Sequence, residues 1–292
     1  MLKTVSTLNI PGKRFGQIEA LRHLKEAGFD GCDYSMFGFD NPDDGFFFEP
    51  DWRDQVRALK KAADEVNLPF LQAHAPFPSN IPDDEARTAQ IRHCLELSLE
   101  ACHIAECPMI VFHPTHKAPL PADPDGREAI FQKNVEFYGS YLQRARELGV
   151  LILTENMFGR SDLYKRIVPS AFSFAEEINR LVDTLDGQIG VCLDVGHSIL
   201  VNDPMEHMAK VLGHRLKALH LHSNDGISDR HTAPLIHPMN WEELGHALYE
   251  IGYQGPITLE SDGFLRPLPE EMTDLGLRFM CENARYIASL VK

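Results

Sequence analysis

Two kinds of segment alternate along the chain, short β-rich runs and longer amphipathic stretches. The eight β-rich runs are KTVSTLN, GCDYSM, FLQAHAP, MIVFHP, LILTEN, IGVCLDVGH, LKALHLHS and PITLES. Two of the stretches between them have apolar residues three or four positions apart, as one helix face requires: Val56, Leu59, Ala63 and Val66 in one, and Ile91, Leu95, Leu99 and Cys102 in the next. Strand followed by helix, eight times, predicts an α/β protein with the (β/α)₈ TIM-barrel fold.

The pattern also predicts a single domain that spans residues 1–292. No Pro/Ser-rich linker or low-complexity tract divides the chain. The stretches EAGFDG (26–31) and EIGYQG (250–255) both end a helical pattern with glycine before the next strand. An open doubly wound sheet is the alternative, but no glycine-rich dinucleotide or phosphate fingerprint follows the first strand.

Composition narrows the classes of function. The formal charge of −15 argues against nonspecific binding to nucleic acid or to anionic lipid. The apolar runs are far shorter than the roughly 20 residues that span a bilayer, and the amino terminus lacks a signal-peptide pattern. We therefore expect a cytoplasmic protein without membrane contact, with a homo-oligomer among the states left open. The six cysteines form no CxxC pair and are expected to be reduced core residues.

Three strand-to-helix connections, 37–51, 75–84 and 156–171, are longer than a turn needs. In a barrel these connections open at the catalytic face. The first is acidic and aromatic, which suits a lid over a polar organic substrate. The third carries Arg160, Lys165 and Arg166, which either grip a phosphate or carboxylate group or form an exposed basic turn.

Polar residues at the carboxyl ends of the strands give the strongest functional signal. From the third strand to the eighth they are His74, His113, Glu155, Asp194, His222 and Glu260. Because residues two apart share a strand face, these side chains point to the mouth of the predicted barrel. Clustered carboxylates need a countercharge, which a divalent cation supplies. Mixed imidazole and carboxylate ligands without cysteine suit Mn²⁺, Zn²⁺, Co²⁺ or Fe²⁺.

Each of these residues also has a structural interpretation. A lone histidine such as His74 or His113 is often a hydrogen-bonded core residue, and Asp194 could be a helix N-cap. Glu155 and Glu260, however, end apolar runs, where a carboxylate without a partner is costly. Six residues at matched strand ends favour one metal site over six separate structural roles.

A second cluster of polar residues follows the seventh strand, in HLHSNDGISDRHTAPLIHP. Asp229 and His231 lie on a loop beside the same mouth, so they either bind a second metal or belong to an ordinary polar loop. His220 and His237 are interpreted as members of that loop, or as residues that support the ligands from behind.

Six motifs occur in the order found in a known superfamily: LQAHAP, VFHP, LTEN, GVCLDVGH, HLHSNDGISDRH and ITLES. They resemble the signature stretches of the xylose-isomerase-like TIM-barrel superfamily, which includes sugar isomerases, sugar 3-epimerases, inosose dehydratases and the endonuclease IV class. The resemblance runs from the third strand to the eighth. It implies a metal-dependent enzyme whose substrate is a small carbohydrate-like molecule.

The isomerase and epimerase branch holds one Mn²⁺-type ion with a Glu, an Asp, a His and a Glu on the last four strands. The resemblance places these ligands at Glu155, Asp194, His222 and Glu260. His222 is preferred over His220 because His222-Ser-Asn-Asp225 matches the His-x-x-Asp/Glu pattern of the family. Mn²⁺ is the expected cofactor, with Zn²⁺, Co²⁺ and Fe²⁺ as alternatives.

The same branch implies the catalytic roles. Glu155 and Glu260 would remove and return a carbon-bound proton through an enediolate that the ion stabilises. His197 matches a substrate-contacting histidine, and Arg160 is a further candidate for orienting the substrate. The resulting hypothesis is an isomerase or epimerase of a sugar or related hydroxy-carbonyl compound.

The endonuclease IV branch implies a second hypothesis, a trinuclear-zinc phosphodiesterase. Its nine ligands all have counterparts in this chain: His74, His113, Glu155, Asp194, His197, His222, Asp229, His231 and Glu260. Against it, Phe77-Pro78 stands where that branch has a Tyr-Leu wedge for a flipped nucleotide, and no basic surface for duplex DNA is evident. TAPLIHPMNW departs from the glycine-rich loop of the sugar branch, which leaves the identity of the substrate open. A dehydratase or lyase acting on a polyol-derived ketone is a variant of the first hypothesis because it shares the enediolate, and a non-catalytic sugar-binding barrel is a third class.

Overall fold

The structure is a computed structural model, and it describes residues 2–43, 45–115, 120–163 and 165–292. The strands in this part of the chain are β1 (Thr4–Thr7), β2 (Gly31–Ser35), β3 (Phe70–His74), β4 (Met109–Phe112), β5 (Leu151–Glu155), β6 (Gly159–Ser161), β7 (Arg166–Val168), β8 (Gly190–Asp194), β9 (Leu216–His220) and β10 (Ile257–Leu259). Each of the eight predicted strands is present. β6 and β7 form an antiparallel hairpin inside the predicted long connection after β5.

The other strands form one parallel sheet in the order β10-β1-β2-β3-β4-β5-β8-β9. The two ends of this sheet meet through a parallel bridge between Leu221 and Leu259. There the Leu221 amide donates to the Thr258 carbonyl at 2.8 Å, and the Glu260 amide donates to the Leu221 carbonyl at 3.1 Å. These bonds close the sheet, so the predicted (β/α)₈ barrel is confirmed.

Helices surround the barrel and bury the faces that the sequence pattern predicts. In the described residues they are α1 (Asn9–Phe15), α2 (Gln17–Ala27), α3 (Trp52–Glu65), α4 (Glu85–Ile104), α5 (Pro124–Leu148), α6 (Ala175–Thr184), α7 (Val195–Leu200), α8 (Met205–Leu212), α9 (Trp241–Glu250), α10 (Asp262–Leu265) and α11 (Thr273–Leu290). The apolar stripes of α3 and α4 are buried, except that Val66 lies just past the end of α3. Gly28 and Gly252 follow α2 and α9 with φ of 105° and 67°, as left-handed helix ends require.

The interior of the barrel sets the position of the polar residues at its mouth. Four small or branched side chains from neighbouring strands form an inner apolar cluster: Val111, Leu153, Cys192 and Ala218. Two residues further along each strand come His113, Glu155, Asp194 and His220. Because side chains two apart share a strand face, this second layer also points inward and stands directly above the apolar one.

The expectation from composition for the cysteines is met by the described residues. All six cysteines are buried free thiols. No helix in the described ranges is long and apolar enough to cross a membrane. In the predicted long connections, a short 3₁₀ helix occupies Phe46–Phe48, while Asp44 and Tyr164 fall outside the described residues.

Candidate metal centre

A cavity of about 620 Å³ opens at the carboxyl ends of the barrel strands. This volume is typical of a site for a small molecule. Aromatic rings of Phe37, Phe77 and Phe158 form part of its wall. Seven of the residues predicted from the sequence line it: His74, His113, Glu155, His197, Asp229, His231 and Glu260. Asp194 and His222 are fully buried beside them.

Glu155 is the centre of the first group of contacts. Its Oε2 atom lies 3.2 Å from His113 Nε2 and 3.5 Å from His74 Nε2. The two imidazole Nε2 atoms are themselves only 3.1 Å apart. Three electron-rich groups from β3, β4 and β5 therefore converge on one point.

On the other side of Glu155, the structure places a histidine that differs from the predicted ligand. His220 Nδ1 lies 3.2 Å from Glu155 Oε1 and 3.4 Å from Glu260 Oε2. Ligand atoms of Glu155, Asp194, His220 and Glu260 all lie within 4.8 Å of one another. His220 thus joins the group with Glu155 and Glu260, for which the resemblance implied His222, because β8 and β9 pair Asp194 with His220 and set both at one level of the barrel.

His222 lies one step further out on the same inward face. Its Nε2 atom is 3.0 and 3.1 Å from the two carboxylate oxygens of Asp194, and its ring stacks on His231 with centroids 3.9 Å apart. Asp229 Oδ2 is 2.9 Å from His231 Nε2 and 3.8 Å from His197 Nε2. The loop residues Asp229 and His231 therefore do reach the site, where they form a third group with His197.

Backbone carbonyl groups fix the orientation of three imidazoles. The Nδ1 atoms lie 2.7 to 2.9 Å from carbonyl oxygens in the pairs His74 with Ala75, His197 with Asn156, and His231 with Glu260. A carbonyl oxygen only accepts hydrogen bonds, so Nδ1 carries the proton in each pair. Nε2 is left facing the carboxylates, which is the arrangement that metal-ligating histidines usually have.

Asn156 supports the centre, and the sequence analysis did not identify it. Its Oδ1 accepts from the Asp194 amide at 2.7 Å, and its Nδ2 donates to the Asp194 carbonyl at 2.8 Å. Asp194 Oδ1 in turn accepts from the His197 amide at 2.7 Å, so Asp194 is also the N-cap of α7. Asp194 therefore both caps α7 and contacts His222. The only sequence signal for Asn156 is its position directly after Glu155.

The buried carboxylates shift the pKa values of the histidines around them, and the histidines shift those of the carboxylates. Burial alone would raise the pKa of Glu155, but the neighbouring imidazoles of His220 and His113 lower it well below its usual value. Burial would lower the pKa of His197, yet Asp194 and Asp229 raise it to about 10. In contrast, burial lowers the pKa of His113 to about 4. Without another cation, protons on imidazoles supply the positive charge that these carboxylates require.

The donor set fits a divalent metal ion. Within the described part of the chain, four buried atoms of the centre make no hydrogen bond: Glu155 Oε2, His220 Nε2, His222 Nδ1 and Asp229 Oδ1. A buried carboxylate oxygen without a partner is costly, and a bound cation removes that cost. Carboxylate oxygens with imidazole nitrogens are ligands that Mn²⁺, Zn²⁺, Co²⁺ and Fe²⁺ accept.

Arg160 does not join the residues that line the cavity. It lies in β6 with its side chain exposed, and Met157 and Phe158 line the cavity from the same connection. The β6–β7 hairpin accounts for this difference from the prediction, because it pairs Arg160 with Ile167 beyond the strand end. Among the described residues, the lysine and arginine side chains that line the cavity are those of Lys13, Arg230 and Arg266.

The fold and the ligand-rich mouth define a (β/α)₈ barrel with a candidate metal centre. The chain belongs to the family described as xylose isomerase-like TIM barrel, whose family model matches residues 21–283. This membership confirms the resemblance seen in the motifs. A curated relative, an uncharacterised protein of Methanocaldococcus jannaschii, is 25% identical over 212 residues, which cover 70% of this chain and 69% of the relative.

Solved structures with the same fold share less sequence. A D-tagatose 3-epimerase-like protein superposes with a TM-score of 0.76 at 18% identity, over 99% of this chain and 98% of the other. D-psicose 3-epimerase from Clostridium cellulolyticum H10 gives 0.73 at 18% identity, over 98% and 99%. AP endonuclease family 2 from Brucella melitensis gives 0.69 at 15% identity, over 97% and 99%. At these identities the likeness establishes the fold alone.

Gly196 gives a direct test of the packing around His222. A Cβ atom at Gly196 would overlap the His222 ring, so Gly196→Ala must push this imidazole away from Asp194. We expect the free energy of unfolding, measured with urea, to fall by about 1–3 kcal/mol. Gly139→Ala in α5 is the control, since no neighbouring atom lies within 4 Å of the added Cβ. It should leave stability unchanged or raise it by up to about 1 kcal/mol. Equal stability of the two variants would contradict the packing described here.

Asp33 gives a pH-dependent prediction. This fully buried carboxylate on β2 accepts from the Ser35 hydroxyl at 2.9 Å, and burial raises its pKa to about 6. Because this folded-state pKa lies above the unfolded value, ionised Asp33 destabilises the fold increasingly as pH rises. Asp33→Asn should therefore stabilise the metal-free protein, by about 2 kcal/mol more near pH 7 than near pH 4.

Urea unfolding of the metal-free wild type and of Asp33→Asn at several pH values measures this difference. Asp125→Asn, which removes an exposed carboxylate from α5, is the control for a change of charge. If the stabilisation by Asp33→Asn became smaller as pH rises, the pKa of Asp33 would not be raised in the folded protein, and the prediction would be wrong.

Proposed function

We propose that the chain is a divalent-metal-dependent isomerase or epimerase of a sugar or related hydroxy-carbonyl compound. One observation carries this proposal: Glu155 and Glu260 line the same cavity, with His220 Nδ1 3.2 and 3.4 Å from their respective oxygens. They come from the ends of β5 and β10. Two carboxylates at the floor of a small-molecule cavity suit the removal of a proton from carbon and its return.

The metal ligands in this proposal are Glu155, Asp194, His220 and Glu260. When bound, a divalent cation supplies a Lewis acid that withdraws charge from adjacent carbonyl and hydroxyl oxygens of a substrate. Mn²⁺ suits a site with three carboxylates and one imidazole, and Zn²⁺, Co²⁺ and Fe²⁺ are alternatives.

The side chains of this chain divide the remaining work. Glu155 and Glu260 exchange the carbon-bound proton, each from its own side of His220. His197, held through Nδ1 by the Asn156 carbonyl, turns Nε2 toward a substrate oxygen. Phe37 and Phe77, whose ring centroids are 5.1 Å apart, limit access of water to the reacting carbon.

The solved structures of similar fold support this choice of reaction. Their names include D-psicose 3-epimerase, L-ribulose 3-epimerase and D-tagatose 3-epimerase-like protein. These names support the proposed reaction class. Because the identities to this chain are below 20%, the neighbours do not indicate which substrate it takes. A dehydratase acting on a related ketone would begin with the same proton removal and differ in the loss of a hydroxyl group.

A trinuclear-zinc phosphodiesterase is the second candidate, and the arrangement of the outer groups favours it. His74 and His113 converge with Glu155 on one side of the four-ligand group, and His197, Asp229 and His231 lie on the other side. Two-metal and three-metal centres generate hydroxide and stabilise a leaving oxygen in phosphodiester cleavage. About three zinc ions per chain, together with cleavage of an abasic-site duplex, would favour this candidate.

Hydrogen exchange at carbon tests the first candidate. Mn²⁺-loaded protein, incubated in D₂O with a panel of ketoses, should place deuterium on a carbon next to the carbonyl group of at least one of them. NMR spectroscopy measures the incorporation. Glu260→Gln should lower its rate by about 100-fold or more, because it removes one of the two proton-transferring carboxylates.

The control Glu271→Gln removes an exposed carboxylate and should leave the exchange rate unchanged. The metal content of Glu260→Gln, measured in parallel, separates loss of the ion from loss of proton transfer. If metal-loaded wild type placed no deuterium on any ketose, the isomerase proposal would be wrong.

A further inference from the structure

Beneath the metal centre, part of the barrel interior is polar. Gln72 lies two residues before His74 on β3, and Thr258 lies on β10 two residues before Glu260, so both side chains point inward below the centre. The Thr258 hydroxyl donates to Gln72 Oε1 at 2.9 Å. Because β1 and β2 lie between β10 and β3 in the sheet, this hydrogen bond crosses the inside of the barrel. Gln72 therefore belongs to the buried floor of the centre.

Asp33 on β2 extends this polar floor. It is the register neighbour of Gln72, and register neighbours on parallel strands point to the same face of the sheet. Its Oδ1 atom accepts from the Ser35 hydroxyl at 2.9 Å. Burial raises the pKa of Asp33, and the strongest opposing effect comes from the His220 imidazole, which therefore lies close to this carboxylate.

Three buried polar atoms meet at this floor without a hydrogen bond to any described residue: Asp33 Oδ2, Gln72 Nε2 and His220 Nε2. All three residues are fully buried, and such atoms cost free energy unless a partner is present. The amide nitrogen donates and the carboxylate oxygen accepts, yet these two atoms do not bond to each other. A small group that both donates and accepts would satisfy them.

The second nitrogen of His220 needs a partner in the same space. Nδ1 faces Glu155 and Glu260 at 3.2 and 3.4 Å, while Nε2 has no carboxylate or carbonyl partner among the described residues. The His220 ring lies beside that of His74, with centroids 5.5 Å apart, and His74 stands directly above Gln72. When Nδ1 binds an ion, the ring proton is on Nε2, and ligand histidines pass this proton to an oxygen atom.

We propose that one ordered water molecule is buried among these three atoms, where it donates to Asp33 Oδ2 and accepts from Gln72 Nε2 and His220 Nε2. Three hydrogen bonds are typical of a buried water. A cation does not fit this position, because two of the three partners are N–H donors. The Cys192 thiol also lies beside His220, but sulfur accepts too weakly to replace an oxygen atom.

Through this water, Asp33 and Gln72 act as positioning residues for His220. The water keeps the ring proton on Nε2 and turns Nδ1 toward Glu155 and Glu260. The water site itself does not depend on the proposed function. Its effect on metal binding rests on the metal centre of that proposal.

A high-resolution crystal structure of the EDTA-treated protein tests the water site without metal or substrate. It should show one water molecule about 2.7–3.2 Å from Asp33 Oδ2, Gln72 Nε2 and His220 Nε2. A direct hydrogen bond between Asp33 and Gln72, or no density among the three side chains, would overturn the proposal.

Two neutral replacements of Asp33 test its action on His220. Asp33→Asn keeps an oxygen that accepts from the water, whereas Asp33→Leu has a similar size and no polar atom. Both remove the charge, so their difference reports on the hydrogen bond. Calorimetry should show an Mn²⁺ affinity about tenfold weaker for Asp33→Leu than for Asp33→Asn, as expected when the partner behind a ligand histidine is lost. Gln72→Leu should weaken Mn²⁺ binding about tenfold relative to the wild type for the same reason.

Cys32→Ala is the matched control, because Cys32 is buried on the same strand but belongs to the core between barrel and helices. It should lower stability in urea and leave Mn²⁺ affinity unchanged. Urea unfolding in EDTA establishes which variants are folded, and Gln72→Leu and the wild-type crystal structure decide if Asp33→Leu is not. Equal Mn²⁺ affinity of folded Asp33→Asn and Asp33→Leu would contradict the positioning role.

The inference and the metal centre can fail separately. Water at the three atoms, with no Mn²⁺ bound by the wild type, would keep the water site and reject the metal centre. Mn²⁺ bound by the wild type, with no water between Asp33 and Gln72, would keep the metal centre and overturn the inference.

Discussion

The buried carboxylate of Glu155 is the group on which the rest of the site depends. It is 1% exposed at the end of an apolar strand, where an isolated negative charge is costly. His113, His74 and His220 surround it within 3.5 Å, and the imidazoles of His220 and His113 hold its pKa far below the usual value. Imidazoles around Glu155 balance its negative charge, and neighbouring backbone groups keep some of these imidazoles in position. A divalent cation is the natural companion for such an arrangement, because it balances several carboxylates at once.

The barrel supports this concentration of charged side chains by holding each of them on a rigid element. An inner apolar layer fills the barrel, and the polar layer follows two residues later on each strand. Asn156 bonds to both backbone groups of Asp194, and Asp194 caps the helix that carries His197. Asn156, Asp194 and His197 are thus coupled through short hydrogen bonds.

The sequence predicts the barrel and most of the site, because strand-end residues follow directly from apolar runs with a known period. The sequence does not decide between polar residues that lie two positions apart, because both then share one face of a strand. His220 and His222 both face inward, and the pairing of β8 with β9 selects His220 for the group with Glu155 and Glu260. Lys13 and Arg266 lie near opposite ends of the chain, and the pairing of β1 with β10 brings both to the lining of the cavity. Arg160 is predicted to orient the substrate because it lies in a long basic connection at the mouth of the barrel, and the β6–β7 hairpin that carries it away has no clear pattern in the sequence.

The central claim is that Glu155, Asp194, His220 and Glu260 hold one divalent ion over the barrel. Anomalous diffraction from crystals of the Mn²⁺-loaded protein tests it most directly, since the manganese position is read without assumptions about ligands. The account predicts an anomalous peak within bonding distance of all four side chains, including His220. A peak bound by His222 with His220 unligated, or no peak among these four side chains, would contradict it.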